Sequence, residues 1–223
     1  MNLNVTVAIP SYNSELFLIK TVESVLAQTK TVNEILIIDD CSTDKSYEIA
    51  CELSGKYSNI KAYRNVENLG YAKNWNNCIK SCQTKFLLIL HHDDLLKSDS
   101  IEKQLNFFKK NRDIALVGGY EDFIDEHGNL ISRKKSTETK IFEKDQILEF
   151  VTHTGSYIPC STVMFDLEKI KKVGFFDEKY LATDELFWPK VLTEFPIALM
   201  GESLINRRIH PGQTEYSDFK KKI

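Results

Sequence analysis

The segment Leu87–Leu96, LLILHHDDLL, places two histidines and two aspartates directly after an apolar run. Four consecutive apolar residues are typical of a β-strand that is buried on both faces. Asp93 and Asp94 are adjacent acids, and two like charges held close together repel unless a cation or several hydrogen-bond donors neutralise them. We therefore expect a binding site for a cation or a strongly polar ligand where this strand ends.

Other apolar runs resemble the one before the acids, and helical patterns separate them. The strand-like runs are VTVAI, EILII, IKAYR and IALVG, which begin at Val5, Glu34, Ile60 and Ile114. Apolar residues at helical spacing lie between these runs. Alternation of strands and helices predicts an α/β fold with a mostly parallel sheet and helices on both faces. Such sheets bind ligands at the carboxyl ends of their strands.

The second half of the chain has a different pattern. It predicts a hairpin at residues 126–129, a helix in DQILEFV, a strand in YIPCSTVMF and a short helix in LEKIKKVG that ends at Gly174. No linker rich in proline, glycine or serine separates the two halves. We therefore predict one domain, residues 1–223, made of a first part, residues 1–118, and a second part, residues 119–223.

Composition excludes several classes of protein. The formal net charge of −3 is spread along the chain, which argues against a nucleic-acid-binding protein. No apolar run approaches the roughly 20 residues of a membrane-spanning helix, and the first residues lack the pattern of a signal peptide. Five cysteines without a paired motif favour reduced thiols, and Cys78 and Cys82 are better explained by core packing than by metal binding. We expect a soluble, cytoplasmic protein.

Polar segments follow each of the first four strands, and they should meet at one edge of the sheet. They are PSYN (residues 10–13), DDCSTD (39–44), NVENLGYAKN (65–74) and HHDD (91–94). The glycine-rich motifs of dinucleotide-binding folds and P-loops are absent from the sequence. Adjacent carboxylates suit Mg²⁺ or Mn²⁺, which bind one or two carboxylates together with phosphate oxygens and water. The sequence thus favours a metal-bound diphosphate as the ligand.

Seven stretches give the chain a resemblance to a known family. They are VAIPSYN, EILIIDDCSTDKS, NLGYAKNWN, LLILHHDDLL, KKVGFFDEKY, ATDELFWPKV and RRIHPGQT. In order and spacing they resemble the family 2 glycosyltransferases of the GT-A fold. The resemblance implies an inverting, Mn²⁺- or Mg²⁺-dependent transfer of a sugar from a nucleotide-diphosphate donor, expected to be a UDP-sugar. The implied acceptor is a hydroxyl of a glycan or of a lipid-linked acceptor in surface polysaccharide synthesis.

The resemblance also implies roles for individual residues. The nucleotide-binding residues would be Pro10, Tyr12, Asn13, Asp39, Asp40, Gly70, Lys73 and Asp93. The metal ligands would be Asp94, Asp93 and His210, and Asp184 would be the catalytic base that deprotonates the acceptor. The acceptor-side candidates are Tyr157, Ser161, Glu185 and Trp188, with core packing as the alternative for an aromatic at this spacing. Pro189 predicts a kink or a late start of the helix that follows Asp184.

Two positions depart from the family pattern. His91 stands where an acid is common, and Trp75 stands where an arginine is common. Lys73, Arg207, Arg208 or His210 would then have to neutralise the leaving diphosphate together with the metal. A zinc site in HHDD is the less favoured interpretation, because four adjacent residues cannot all point at one ion.

Two other functions remain open. One is a non-catalytic module that binds a nucleotide-sugar, which the tryptophan at position 75 motivates. The other is a nucleotidyltransferase, which should carry a glycine- and arginine-rich loop after the first strand, where this chain has PSYN. The lysines of FKKKI, residues 219–223, leave a peripheral membrane contact open, and the sequence does not decide whether the chain forms homo-oligomers.

Overall fold

A computed structural model describes residues 4–155, 157–180 and 183–213. The strands in these ranges are β1 (Val5–Ser11), β2 (Glu34–Asp39), β3 (Ile60–Arg64), β4 (Phe86–Ile89), β5 (Leu95–Leu96), β6 (Leu116–Ile124), β7 (Leu130–Ser132), β8 (Lys140–Phe142), β9 (Met164–Asp166) and β10 (Ile197–Arg208). The α-helices are α1 (Leu18–Leu26), α2 (Ser46–Lys56), α3 (Tyr71–Ser81), α4 (Ser100–Lys110), α5 (Ile147–Thr154), α6 (Leu167–Val173) and α7 (Thr183–Leu192). A short 3₁₀ helix covers Cys160–Thr162.

All of these strands belong to one mixed sheet. Its order is β3-β2-β1-β4-β9-β6-β10-β5, with β7 paired to β6 and β8 paired to β10. The neighbours among β1–β4 are parallel, β9 is antiparallel to both β4 and β6, and β10 is parallel to β6. The predicted α/β fold with a mostly parallel first half is confirmed. The parallel strands bring the loops after β1, β2, β3 and β4 to the same edge.

Apolar side chains cover both faces of the sheet, as the alternating pattern predicts. On one face, Val7 of β1 packs in a cluster with residues of α1 and α4. On the other face, Ala8 packs in a cluster with residues of α3 and α7, including Trp75 and Trp188. Successive residues of a strand point to opposite faces, so each run of apolar residues supplies two cores. Cys78 and Cys82 lie buried in the second cluster, which fits the core-packing interpretation.

The second half contains the predicted hairpin and helices, with two differences. Strand β9 starts only at Met164, because the 3₁₀ helix occupies the preceding residues of YIPCSTVMF. Helix α7 begins at Thr183 and continues through Pro189, so the expectation of a late helix start is wrong. The proline removes one backbone hydrogen bond, but the helix buries Phe187 and Trp188, and tertiary burial outweighs local propensity.

Gly174 ends α6 as predicted, with a positive φ of 111°. In the described part of the chain, no helix combines the length and the apolarity needed to cross a membrane. The basic segment at residues 219–223 lies outside the described residues. The sheet takes strands from both residues 1–118 and residues 119–223, while the single-domain assignment stays a prediction.

Candidate functional site

The loops after the parallel strands are bonded to one another. The backbone N–H of Asn13 donates to Ser42 Oγ at 3.0 Å, and Asn13 Oδ1 accepts the N–H of Thr43 at 2.9 Å. His92 Nδ1 lies 3.2 Å from the carbonyl oxygen of Pro10, which links the loop after β4 to the end of β1. These contacts join three of the four predicted segments along the edge of the sheet.

The two acids after β2 have different surroundings. Asp39 is fully buried, and its carboxylate accepts the N–H and the hydroxyl of Ser42 and lies 3.4 Å from Arg64 Nε. These contacts stabilise the turn after β2 from within. Asp39 therefore shapes the loop, and its neighbour Asp40 reaches toward the next loop.

Asp40 organises the segment that leads into α3. Its Oδ1 accepts Asn65 Nδ2 at 2.7 Å and the Leu69 N–H at 2.9 Å, and its Oδ2 accepts the Gly70 N–H at 2.9 Å. Gly70 has a φ of 81°, a conformation that residues with a Cβ rarely adopt. A carboxylate offers about four acceptor positions, so Asp40 retains capacity for one further donor.

The remaining nucleotide-side candidates are Pro10, Tyr12 and Lys73. Pro10 is buried in β1, and its carbonyl group faces His92. The Tyr12 side chain is 42% exposed beside this edge, and Lys73 is exposed on the first turn of α3. Tyr12 and Lys73 therefore present a ring and a charge at the surface, while Pro10 is part of the buried scaffold.

Asp93 and Asp94 are both buried at the end of β4, and each has its own set of donors. Asp93 Oδ2 lies 3.0 Å from His210 Nε2 and accepts Gln213 Nε2 at 2.9 Å. Asp94 Oδ1 accepts the backbone N–H of Arg208 at 3.1 Å, and the Asp94 side chain is only 2% exposed. Sequence reasoning missed Gln213, since a lone glutamine near the end of a strand gives no signal.

The pKa values of the two acids move apart. Burial would raise the pKa of Asp93, but the hydrogen bond with His210 and the charge of His92 outweigh it and hold the pKa well below its ordinary range. Burial and the neighbouring charge of Asp93 raise the pKa of Asp94 well above its ordinary value. Two buried carboxylates this close cannot both ionise without an added positive charge. The pair therefore suits a cation.

The donor set fits an ion that takes only part of its ligands from protein. No group of three or more histidine, cysteine, aspartate or glutamate side chains is arranged around a common metal position in residues 4–155, 157–180 and 183–213. A full protein cage of the kind that structural zinc requires is thus not formed by these residues. Mg²⁺ and Mn²⁺ accept one or two carboxylates and complete their shell with phosphate oxygens and water, so Asp93 and Asp94 suit them.

The two histidines of the HHDD segment point away from each other. The His91 ring stacks on Trp75, with centroids 5.1 Å apart, and its Nδ1 lies 4.0 Å from Asp94 Oδ2. His92 faces Pro10 on the other side. This divergence agrees with the expectation that four adjacent residues do not converge on one ion.

Arg207 and Arg208 lie on opposite faces of β10 and do different things. Arg208 is completely buried, and its Nε donates to the Asp93 carbonyl at 3.0 Å. Its Nη1 donates to the carbonyl groups of Asp125 and Glu126 at 3.1 Å each, which joins the acid loop to the β6–β7 turn. Arg207 is partly exposed, and its charge acts on Asp94. Of these two arginines, Arg207 is the one placed to meet a ligand.

Asp184 lies in the first turn of α7 and is half-buried, with Glu185 beside it in the same class of exposure. Burial raises the pKa of the Cys160 thiol, and the charge of Asp184 followed by smaller effects, including that of Asp94, raises it further. Burial and the charge of Asp184 also raise the pKa of Tyr71 on α3. The charges of Asp184 and Asp94 thus both act on the same buried thiol.

The acceptor-side candidates separate into exposed and buried residues. Tyr157 is 38% exposed; its hydroxyl donates to Glu121 Oε1 at 3.2 Å and accepts Arg207 Nη1 at 2.9 Å. Trp188 is fully buried, and its indole N–H donates to the Ile158 carbonyl at 3.1 Å. Ser161 is 2% exposed. Trp188 and Ser161 are thus both buried, which fits the core-packing alternative for Trp188, and their acceptor-side role stays a prediction.

A separate cavity of about 720 Å³ contains none of the predicted site residues. Its lining includes Asp122 and Asn206, whereas the neighbours Glu121 and Arg207 belong to the site described above. Two of its lysines are paired with acids: Lys97 Nζ lies 2.6 Å from Asp122 Oδ2, and Lys103 Nζ lies 2.5 Å from Glu202 Oε2. These pairs form a polar network on the other face of β6 and β10.

A family model supplies the deciding comparison. The model described as Glycosyl transferase family 2 matches residues 6–171 of the chain. The chain belongs to glycosyltransferase family 2. This match includes the HHDD segment and the loops after β1, β2 and β3.

Relatives of this family 2 glycosyltransferase support the assignment. An uncharacterized glycosyltransferase of Rickettsia typhi is 32% identical over 214 residues, covering 94% of this chain and 65% of that protein. An uncharacterized glycosyltransferase of Methanocaldococcus jannaschii is 30% identical over 224 residues, covering 98% of this chain and 74% of that protein. The family 2 chain thus spans about two thirds of the length of the Rickettsia relative.

Solved structures of S. aureus TarS share the fold of this family 2 glycosyltransferase. A TarS fragment in complex with UDP-GlcNAc superposes with a TM-score of 0.77 at 21% identity, covering 94% of this chain and 60% of that fragment. The same fragment in complex with UDP gives a TM-score of 0.76. The sheet and helices therefore form a GT-A fold, as the resemblance implied.

Proposed function

We propose that this protein is an inverting glycosyltransferase that moves a hexosyl or N-acetylhexosaminyl group from a UDP-sugar to an acceptor hydroxyl. The observation that carries the proposal is the pair of buried, adjacent carboxylates of Asp93 and Asp94. The charge of Asp184 in the first turn of α7 acts on the Cys160 thiol, as the charge of Asp94 does. Family membership and the GT-A fold support the same class of reaction.

The donor nucleotide would occupy the edge formed by the loops after β1 and β2. The exposed ring of Tyr12 is suited to lie against the base, and Asn13 holds that loop against Ser42. Asp40 has acceptor capacity left after binding the N–H groups of Leu69 and Gly70, which suits a uracil-type N–H. Lys73 is exposed at the start of α3 and could reach the phosphates without desolvating a buried charge.

Asp94 and Asp93 would hold Mn²⁺ or Mg²⁺, with His210 beside Asp93. When bound, the ion would offset the negative charge of the departing diphosphate, so that no protein acid is needed to protonate it. Arg207 supplies a second positive charge at this place, because its guanidinium already acts on Asp94 and bonds to Tyr157. We propose that Arg207 helps the metal to neutralise the leaving diphosphate, the role that an arginine at position 75 would otherwise have.

Asp184 is the proposed general base. Its carboxylate takes the proton of the acceptor hydroxyl while the hydroxyl oxygen forms a bond to the anomeric carbon. The bond from that carbon to the diphosphate oxygen breaks on the opposite side, and the diphosphate leaves with the electron pair. Attack opposite the leaving group inverts the configuration at the anomeric carbon. Tyr157 and Glu185 are the proposed acceptor-side contacts.

The proposed acceptor is a glycan or a lipid-linked glycan in surface polysaccharide synthesis, which would be modified on the cytoplasmic side of the membrane. The TarS structures contain UDP and UDP-GlcNAc, and this suggests the donor series to try first. The alternative is a non-catalytic module that binds the same donor, because the edge formed by the loops after β1 and β2 would be sufficient for binding.

Binding and hydrolysis measurements test the proposal. The melting temperature should rise with UDP-sugars in the presence of Mn²⁺ and rise less with GDP- or dTDP-sugars, since a ligand that binds only the folded state stabilises it by mass action. The protein should also release UDP slowly from the preferred donor, because glycosyltransferases hydrolyse their donor as a side reaction. Binding without any UDP release, with or without acceptor glycans, would favour the non-catalytic module. No stabilisation by any nucleotide-sugar would refute both functions.

A further inference from the structure

We propose that Gln213 is a positioning residue that fixes the Asp93 carboxylate and the backbone of Arg208, and through them both acids of the cation site. The inference rests on the proposed function, because these acids are the ones that would hold the cation. Gln213 lies in the turn after β10, and its Nε2 donates to Asp93 Oδ2 at 2.9 Å. The same Nε2 also donates to the carbonyl oxygen of Arg208. One side-chain amide thus bridges the acid loop and the end of β10.

The orientation of the Gln213 amide follows from its partners. A side-chain amide carries two protons on its nitrogen and none on its oxygen. The ionised Asp93 carboxylate and the Arg208 carbonyl can only accept, so the nitrogen end must face them. At the other end, Gln213 Oε1 accepts the backbone N–H of His210 at 3.4 Å. Gln213 therefore cannot turn its oxygen toward a cation without losing these bonds.

The bonds to Asp93 are concentrated on one of its two carboxylate oxygens. Gln213 Nε2 donates to Oδ2, and His210 Nε2 lies 3.0 Å from the same atom. Among the residues that the structure describes, these two side chains are the hydrogen-bond partners of the carboxylate. Oδ1 is thus the Asp93 oxygen that is left for a cation.

Arg208 extends the effect of Gln213 to Asp94. The backbone N–H of Arg208 donates to Asp94 Oδ1 at 3.1 Å, and its Nε donates to the Asp93 carbonyl at 3.0 Å. Gln213 holds the carbonyl group of this same arginine. Loss of the Gln213 amide should therefore loosen both acids, although the amide contacts only Asp93 directly.

The turn that carries Gln213 is packed against Phe17, the residue before α1. The rings of His210 and Phe17 have centroids 4.6 Å apart, and the Arg208 guanidinium lies 4.9 Å from the centroid of the Phe17 ring. The backbone N–H of Gln213 donates to the His210 carbonyl at 3.1 Å, which closes the turn. Gln213 is thus held by a packed and internally bonded support, which a group that sets an orientation requires.

The expected effect of removing the amide is a loss of cation affinity. Groups that orient a metal ligand without touching the metal are worth about 10–100-fold in affinity. Gln213→Met keeps the length of the side chain and removes the amide, so Mn²⁺ should bind more weakly by about this factor in the presence of saturating UDP. The free-Mn²⁺ signal in electron paramagnetic resonance measures the affinity.

Gln146→Met is the matched control. Gln146 lies at the start of α5, and its Oε1 accepts the backbone N–H of Glu143 at 2.8 Å. Like Gln213, it therefore binds the backbone of the residue three positions before it. The control variant loses the same kind of bond away from the acids, and it should bind Mn²⁺ like the unmodified protein.

A second set of measurements needs no metal. The nuclear magnetic resonance signals of the Gln213 side-chain amide should move in Asp93→Asn, because the charged acceptor is lost. They should stay in place in Asp99→Asn, which removes a charge that pairs with Lys103. Hydrogen exchange at the Arg208 N–H should speed up in Gln213→Met, whereas core amides of β1 should keep the unmodified rate.

The outcomes separate this inference from the proposed function. Unchanged Mn²⁺ affinity in Gln213→Met, or an equal loss in Gln146→Met, would overturn the positioning role. Gln213 amide signals that do not respond to Asp93→Asn would overturn it too. Absence of Mn²⁺ binding in the unmodified protein with UDP would instead refute the proposed metal dependence. In that case the amide signals and the Arg208 exchange rate would still decide whether Gln213 holds the acids.

Discussion

Trp75 and His91 lie ring against ring, with centroids 5.1 Å apart and planes inclined by 17°. Trp75 is 8% exposed and also meets Tyr71 and Phe176 at their edges. Helix α3 therefore supports the loop after β4 with a flat aromatic surface. The position of the His91 imidazole next to Asp94 depends on a side chain from a different element.

Replacing Trp75 by leucine should have two separable effects. We expect the free energy of unfolding to fall by about 2–3 kcal/mol, less than the roughly 3–5 kcal/mol for truncation of a buried aromatic to alanine. The His91 ring proton resonances should shift, because the indole ring current is lost. Phe108→Leu removes a buried aromatic that packs on Phe86, and it should lower stability without moving the His91 signals. Unchanged His91 resonances in Trp75→Leu would contradict the stacked arrangement.

Asp94→Asn should abolish the stabilisation that Mn²⁺ and UDP give together. The amide keeps the shape of the side chain but removes the charge that the cation needs. In metal-free buffer the variant should be at least as stable as the unmodified protein, because its repulsion with Asp93 is gone. Thermal melts with and without Mn²⁺, and after addition of EDTA, measure both effects. Asp99→Asn, at an exposed pair with Lys103, is the control and should respond to Mn²⁺ normally.

Asp184→Asn should retain donor binding while turnover falls by about 10²–10⁴-fold, the usual contribution of a general base. Isothermal titration with UDP and Mn²⁺ measures the first quantity, and a UDP-release assay with acceptor measures the second. Glu185→Gln is the neighbouring control in the same helical turn, and it should lower turnover far less. Near-normal turnover in Asp184→Asn would remove this residue from the base role.

The Lys97–Asp122 pair should give stability that depends on pH. Burial would raise the pKa of Asp122, but hydrogen bonds from Lys97 Nζ and the Lys134 N–H outweigh it and lower the pKa. A carboxyl with a lowered folded-state pKa contributes stability above its unfolded pKa of about 3.9, and loses it as pH falls through the folded value. Urea unfolding of Asp122→Asn and the unmodified protein should therefore differ most at neutral pH, and the difference should shrink below about pH 4. A difference that stays constant down to pH 3 would argue against the lowered pKa.

The sequence predicted the sheet well, because strands buried on both faces leave long apolar runs. Strand β10, which ends in Arg207 and Arg208, was not predicted from the sequence. The reason is that its residues mix apolar and charged side chains. Alternation along a strand does explain why these two arginines face opposite ways, but it cannot say which of them faces the site. That depends on the register of β10 against β6, which joins residues about 80 positions apart.

For the site, sequence could mark the acids but not the groups that hold them. Asp39 and Asp40 are adjacent and chemically identical, yet one closes its own turn and the other binds the backbone before α3. Ser161 was predicted to be an acceptor-side residue, because the sequence does not show which groups a single serine is bonded to. Trp188 was placed there for its aromatic ring, and the packing of α7 on the sheet puts that ring in the core.

Arg208 has a consequence for the order in which the molecule is built. Its backbone and side chain reach Asp94 and Asp93 across 114 and 115 positions of sequence. Contacts this distant are among the slowest to form, since a long loop must close first. When only the first half of the chain has emerged from the ribosome, both acids of the HHDD segment have been synthesised. The strand that buries them has not. The catalytic geometry can mature only after the nascent polypeptide has delivered β10.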